Sequence, residues 1–208
     1  MIEGAPPPEG LVPAAPLDFT AHMRRLCERL ATDLPELAHV QMPLVAIRIC
    51  QTRSAARHGT LASLTPLRFR GGSRFTERRG RRYCIQPLFD SGGREMLYLL
   101  SFYLPRFCDY PFDEKLATVV HELWHISPQF DGDLRRHPGR CYAHSSRRRD
   151  FDAHAAALAE KWLRLDPPPA AHDFLRPSFR ELVKRHGGVA GARVRTPRLT
   201  PLAAGQRE

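Results

Sequence analysis

Residues 113–127 read as one amphipathic helix, and this segment constrains the chain more than any other. Leu116, Val119, Val120 and Leu123 recur at helical spacing and form an apolar face. Thr118, His121, Glu122 and His125 share the other side. Asp113, close after Pro111, is placed to cap the start, and Pro128 ends the helix just beyond the second histidine.

His121-Glu122-Leu123-Trp124-His125 is a His-Glu-x-x-His motif. Histidines four apart project from one helix face, a turn apart, and can hold one zinc ion between them. Glu122 beside them is placed to take a proton from a water that zinc has made more acidic. The chemistry this implies is attack of water on a carbonyl, most often that of a peptide bond. The bland alternative is an ordinary helix with two surface histidines.

A catalytic zinc keeps three protein ligands and one open position, so a third donor has to come from elsewhere. Downstream of the helix lie Asp131, Asp133, His137, His144, Asp150, Asp152 and His154, with Glu160 further on. His144 is the favoured donor, because a neutral imidazole suits zinc and a loop of this length can fold back to the helix face. Glu160 would make a glutamate-type site. Asp131 would place the ligand close after the helix, where Pro128 stands against a tight turn. His154 reads as a half-buried histidine, and Cys141 as a small buried residue. Asp150 or Asp152 could orient a ligating histidine, and Tyr142 or Arg140 could steady a developing oxyanion.

The run VVHELWHI, then FDG, an arginine-rich turn, GRCYAH and FD resembles the phage metallopeptidase family. The likeness extends over about residues 17–165 and includes an N-terminal helix ending in DLPEL. It implies a zincin-like fold and a zinc-dependent peptidase, and leaves the substrate open. A looser likeness is to SprT-type and Spartan-type proteases. Those commonly carry a separate DNA-binding module, whereas this chain has no Cys-x-x-Cys pair.

The chain has 208 residues, which suits one domain with irregular ends. No charged-then-apolar leader opens it and no apolar run approaches a membrane span, so no membrane partner is expected. Cys27, Cys50, Cys84, Cys108 and Cys141 are odd in number and scattered, which points to a reducing cytoplasm. The net charge is +10, and arginine carries nearly all of it. Arg68, Arg70, Arg74, Arg78, Arg79, Arg81 and Arg82 fall in one Gly-containing loop. Arg135, Arg136, Arg140, Arg147, Arg148 and Arg149 surround His144. Guanidinium forks suit phosphates and carboxylates, so a nucleic acid or an acidic protein is a candidate partner beside a protein or peptide substrate. A genome that writes Arg for Lys would explain the Arg/Lys ratio, though not the surplus of charge.

Along the chain, residues 1–16 are Pro- and Gly-rich and read as disordered. Asp18 can cap a helix to about Asp33, with Phe19, Met23, Leu26, Cys27, Leu30 and Leu34 inward. Residues 44–50 read as a strand and 60–67 as a weaker one. Residues 82–88 and 96–103 read as a hairpin about Ser91-Gly92-Gly93, and either is a candidate edge strand for an extended substrate. Residues 150–165 read as a helix against the motif helix. Pro167-Pro168-Pro169 then ends the core, leaving 167–208 as a linker, a short helix opened by the capping box Ser178–Glu181, and a basic tail. The expectation is one α+β zincin-like domain over 17–166, with a small, mostly antiparallel sheet.

Overall fold

The computed structural model describes residues 15–52, 59–136 and 148–202, with residues 148 and 149 as backbone only. The expected disorder of the first residues falls largely outside this range. So do His137, Arg140, Cys141, Tyr142, His144 and Arg147. The described residues form a mixed α+β body with three small sheets. Among them no helix is long and apolar enough to cross a membrane.

A two-residue strand, β1 (Leu17–Asp18), leads into helix α1 (Phe19–Asp33), which Asp18 caps by accepting the Ala21 N–H. Strands β2 (Val45–Gln51) and β3 (Ala62–Pro66) follow, then the short hairpin strands β4 (Phe75–Arg78) and β5 (Arg81–Ile85). Strand β6 (Tyr98–Leu104) precedes the motif helix α2 (Phe112–Trp124) and helix α3 (Arg148–Leu163). Helix α4 (Phe179–His186), β7 (Val189–Ala190) and β8 (Leu199–Pro201) end the chain.

The main sheet has the order β2-β6-β3, with β2 parallel and β3 antiparallel to β6. This corrects the expected hairpin. The segment YLLSFYL is the central strand and no edge, and its residues are almost all buried. Its unbroken apolar run is what a strand covered on both faces requires. The Ser91-Gly92-Gly93 turn does form, with Gly93 N–H donating to the Asp90 carbonyl, but pairing across it is limited to residues 88–96. β5 turns away to join β4 and β8 in a separate antiparallel sheet. The weak strand at 60–67 is real, and as β3 it forms one edge of the main sheet.

The core gathers Phe19, Phe102 and Phe107 edge to face, with ring centroids 4.9–5.9 Å apart. Residues beyond 166 also pack into this core. Phe174, Leu175 and Leu182 are buried in it. Leu17 donates to the Gly188 carbonyl, and the guanidinium of Arg48 ties buried Ser101 to the Val194 carbonyl. The proline run therefore routes the chain back across the body. The Ser178–Glu181 capping box is formed as expected.

Candidate metal centre

Helix α2 begins at Phe112 behind Pro111, so Asp113 sits in the first turn and does not cap it. Burying Leu116, Val119, Val120 and Leu123 fixes its rotation, which sets the motif residues towards a cleft. Lys115 is also buried; its ammonium donates to the carbonyls of Cys108 (2.7 Å) and Pro177 (3.2 Å), tying α2 to the C-terminal segment. After His125 the chain turns back sharply. Ile126 bridges Leu134, and Arg135 N–H donates to the His125 carbonyl at 2.7 Å. Buried Tyr98 clamps this return by accepting from Gly132 N–H and donating to the Asp133 carbonyl.

The cleft holds about 750 Å³. His121 and Glu122 of α2 lie in it, Leu61 and Ala62 at the start of β3 form one wall, and Asp152 and Ala155 of α3 form the other. The Nε2 atoms of His121 and His125 approach to 3.0 Å. Zn–N bonds of about 2.0–2.1 Å span such a gap from one ion, so the pair fits a zinc site. Nδ1 of His121 lies 3.0 Å from Oδ1 of Asp152. A carboxylate only accepts, so the shared proton belongs to Nδ1, and Nε2 is left with its lone pair for a metal. Of the two carboxylates expected as orienters, Asp152 makes the contact. Asp150, two residues earlier, is exposed on another side of α3.

Phe151 fixes both rings. It stacks on His125 at 4.6 Å and 22° and meets His121 edge-on at 4.6 Å and 69°. In the sequence Phe151 is the first residue of the FD element that follows GRCYAH; that it wedges two imidazoles follows from how α2 and α3 pack.

Glu122 points to the opposite wall. Its carboxylate accepts the Leu64 N–H at 2.7 Å. It is 9% exposed, and burial pushes its carboxyl up to about 7, with the Leu64 N–H pulling the other way. A carboxyl tuned near neutrality is suited to take and return a proton. Leu64 is the contact that sequence reasoning missed. Tyr103 N–H donates to the Leu61 carbonyl, so the odd residues of β3 bond β6 and Ala62 and Leu64 turn their backbone groups outward, towards Glu122. Tyr110, also in the cleft, carries no motif that would announce it.

Two of the alternative third ligands are excluded by position. Glu160 is at the surface, 3.8 Å from Arg164. Asp131 faces away, accepting Asp133 N–H and packing by Gly72. Asp133 is consumed by the Arg136 fork and the N–H groups of Gly71 and Leu134. His154 is exposed rather than half-buried, and packs on Trp124 with ring centroids 4.5 Å apart. Among the described residues no third His, Cys, Asp or Glu completes a metal cluster with the two histidines. His144, the favoured donor, lies outside them.

The second arginine cluster divides. Arg135 stacks over Trp124 at 3.7 Å and donates to its carbonyl, while Arg136 grips Asp133, so both are structural. No family model matches this chain, and neither the curated proteins nor the solved structures yield a match.

Proposed function

We propose that this chain is a zinc-dependent hydrolase that cuts peptide bonds, a zincin-like relative of the phage metallopeptidases acting in the cytoplasm. The observation that carries the reading is the convergence of two imidazole Nε2 atoms at 3.0 Å beside a buried carboxyl raised to about 7. When bound, zinc supplies a Lewis acid that polarises a carbonyl and acidifies water.

His121 and His125 hold the ion, and His144 supplies the third donor. Asp152 keeps His121 in the tautomer and orientation that present Nε2. Phe151 restrains both rings and shields one side of the pair from water. Glu122 takes the proton from the attacking water and passes it to the leaving amine. The Leu64 N–H holds that carboxylate at the cleft wall. An extended peptide lying along the outer edge of β3 meets the outward backbone groups of Ala62, which favours a substrate read by its main chain.

Glu122→Gln tests this reading, because it removes the base and spares every ligand. Zinc content and fold should persist, while hydrolysis of an unfolded test protein falls by a factor of about 10³ or more. Equal hydrolysis by wild type and variant would overturn the role of Glu122. A second reading, an interaction protein with the same fold and a structural zinc, is favoured by the exposed arginines of the β4–β5 hairpin. It predicts a fourth protein donor on the ion and no turnover at all.

A further inference from the structure

We propose that the β4–β5 hairpin is a docking ribbon for double-stranded DNA, with Arg78, Arg79 and Arg81 as its phosphate-binding groups. The inference is independent of catalysis at the cleft.

The hairpin is a two-residue turn, Arg79-Gly80, between strands in register Arg78↔Arg81, Glu77↔Arg82, Thr76↔Tyr83 and Phe75↔Cys84. Strand β8 pairs with Tyr83, Cys84 and Ile85, and Leu202 N–H donates to the Arg82 carbonyl, so among the described residues the tip from Arg78 to Arg81 is two-stranded. A Cβ added to Gly80 would meet nothing within 4 Å, so the tip stands in solvent. Residues opposite each other across an antiparallel pair share a face. One face therefore carries Thr76, Arg78, Arg81 and Tyr83 and no acid. On the other, the Arg82 guanidinium sits 4.7 Å from the Phe75 ring.

Arginine is placed here against the preferences of the fold. Arg78 and Arg81 are directly opposed like charges, an arrangement that destabilises a hairpin. Arg79 has φ 53°, in the left-handed region where Asn or Gly is favoured. A compositional habit of writing Arg for Lys accounts for neither placement. Arg68 and Arg74, by contrast, share Glu95, and Arg136 holds Asp133. Among the described residues Arg78, Arg79 and Arg81 have no carboxylate partner. Arg198, exposed just before β8, adds charge of the same sign at the base of this sheet, where its carbonyl accepts the Gln86 N–H.

The partner's chemistry follows from shape. A two-stranded ribbon fits the major groove of B-form DNA, about 12 Å wide, and guanidinium forks match the phosphates on its rims. The deep, narrow major groove of duplex RNA does not admit it. An acidic protein would satisfy the charge without using the ribbon's shape.

The test is a fluorescence-anisotropy titration of the full chain on a labelled DNA duplex, at several salt concentrations between about 50 and 200 mM. Arg78→Glu with Arg81→Glu should weaken binding at least about tenfold and flatten the salt slope by about two. Arg25→Glu with Arg180→Glu makes the same charge change elsewhere and should weaken binding less than about threefold. Arg78→Gln with Arg81→Gln adds no acid to the hairpin and should act in the same direction if the Glu pair misfolds. Equal losses at both places would overturn the ribbon as a site. Equal affinity for duplex RNA would overturn the groove fit. Ribbon-dependent binding to poly-glutamate, as tight as to DNA, would make the hairpin an acidic-protein surface instead.

Discussion

The α2–α3 cleft and the β4–β5 ribbon both concentrate ionisable side chains, and they treat them in opposite ways. In the cleft and its supports, the groups that position the motif meet partners. Glu122 has the Leu64 N–H, His121 has Asp152, Lys115 has two carbonyls and Asp133 has Arg136 and two N–H groups. Burial makes an unpaired polar group costly, so these contacts hold side chains in single positions. In the ribbon Arg78, Arg79 and Arg81 are exposed and have no carboxylate partner among the described residues, where solvent makes that cheap. The first arrangement suits preorganised chemistry at fixed atoms. The second suits capture of a charged surface from solution.

The largest expected effect lies on the cleft side. Asp152→Ala leaves both histidines in place but frees the His121 ring, so zinc affinity should fall about 10- to 100-fold in a chelator competition. Unchanged affinity would make the 3.0 Å contact incidental to metal binding.

Next comes Asp133, which joins the two regions by holding the turn after α2 to the Gly71 N–H, ahead of the ribbon. Burial by itself would raise its carboxyl, but the Arg136 fork and the two N–H donors hold it below the ordinary 3.8. A depressed carboxyl adds stability that is present above its unfolded value and is lost as pH falls through the lower folded value. Asp133→Ala should therefore cost about 1–3 kcal/mol at pH 7 in denaturant melts. The gap from wild type should close below about pH 4. A gap that widens in acid would contradict this assignment.

The smallest effect has the opposite sign. Arg79→Asn relieves the left-handed backbone and one repulsion, so it should raise stability by about 0.5 kcal/mol while weakening DNA binding. A loss of stability would remove the argument that arginine is held there for function.

The helical elements were legible because their signals are local. The apolar spacing of Phe19, Met23, Leu26 and Leu30, the Asp18 cap, the Ser178–Glu181 box and the motif helix all follow from residues a turn or two apart. Strand pairing was not legible, since partners lie far apart in sequence and several registers satisfy the same pattern. The unbroken burial of Leu99, Leu100 and Phe102 signals a central strand, and only the pairing showed that β3 is the edge. The same non-locality hid Leu64 beside Glu122. His121 and Glu122 could be named from spacing, because the motif lies within one helical turn, while Asp150 and Asp152 stood as alternatives. Choosing Asp152 over Asp150 required the rotation of α3.

The central claim is that His121 and His125 share one zinc ion at a centre open to substrate. A crystal structure of the zinc-loaded chain, with the ion located by its anomalous signal, tests this most directly. The account predicts one peak about 2.0–2.1 Å from both Nε2 atoms, with His144 as third donor and a solvent-filled fourth position facing the Glu122 carboxylate. A peak away from these histidines, or a fourth protein donor closing the site, would contradict it.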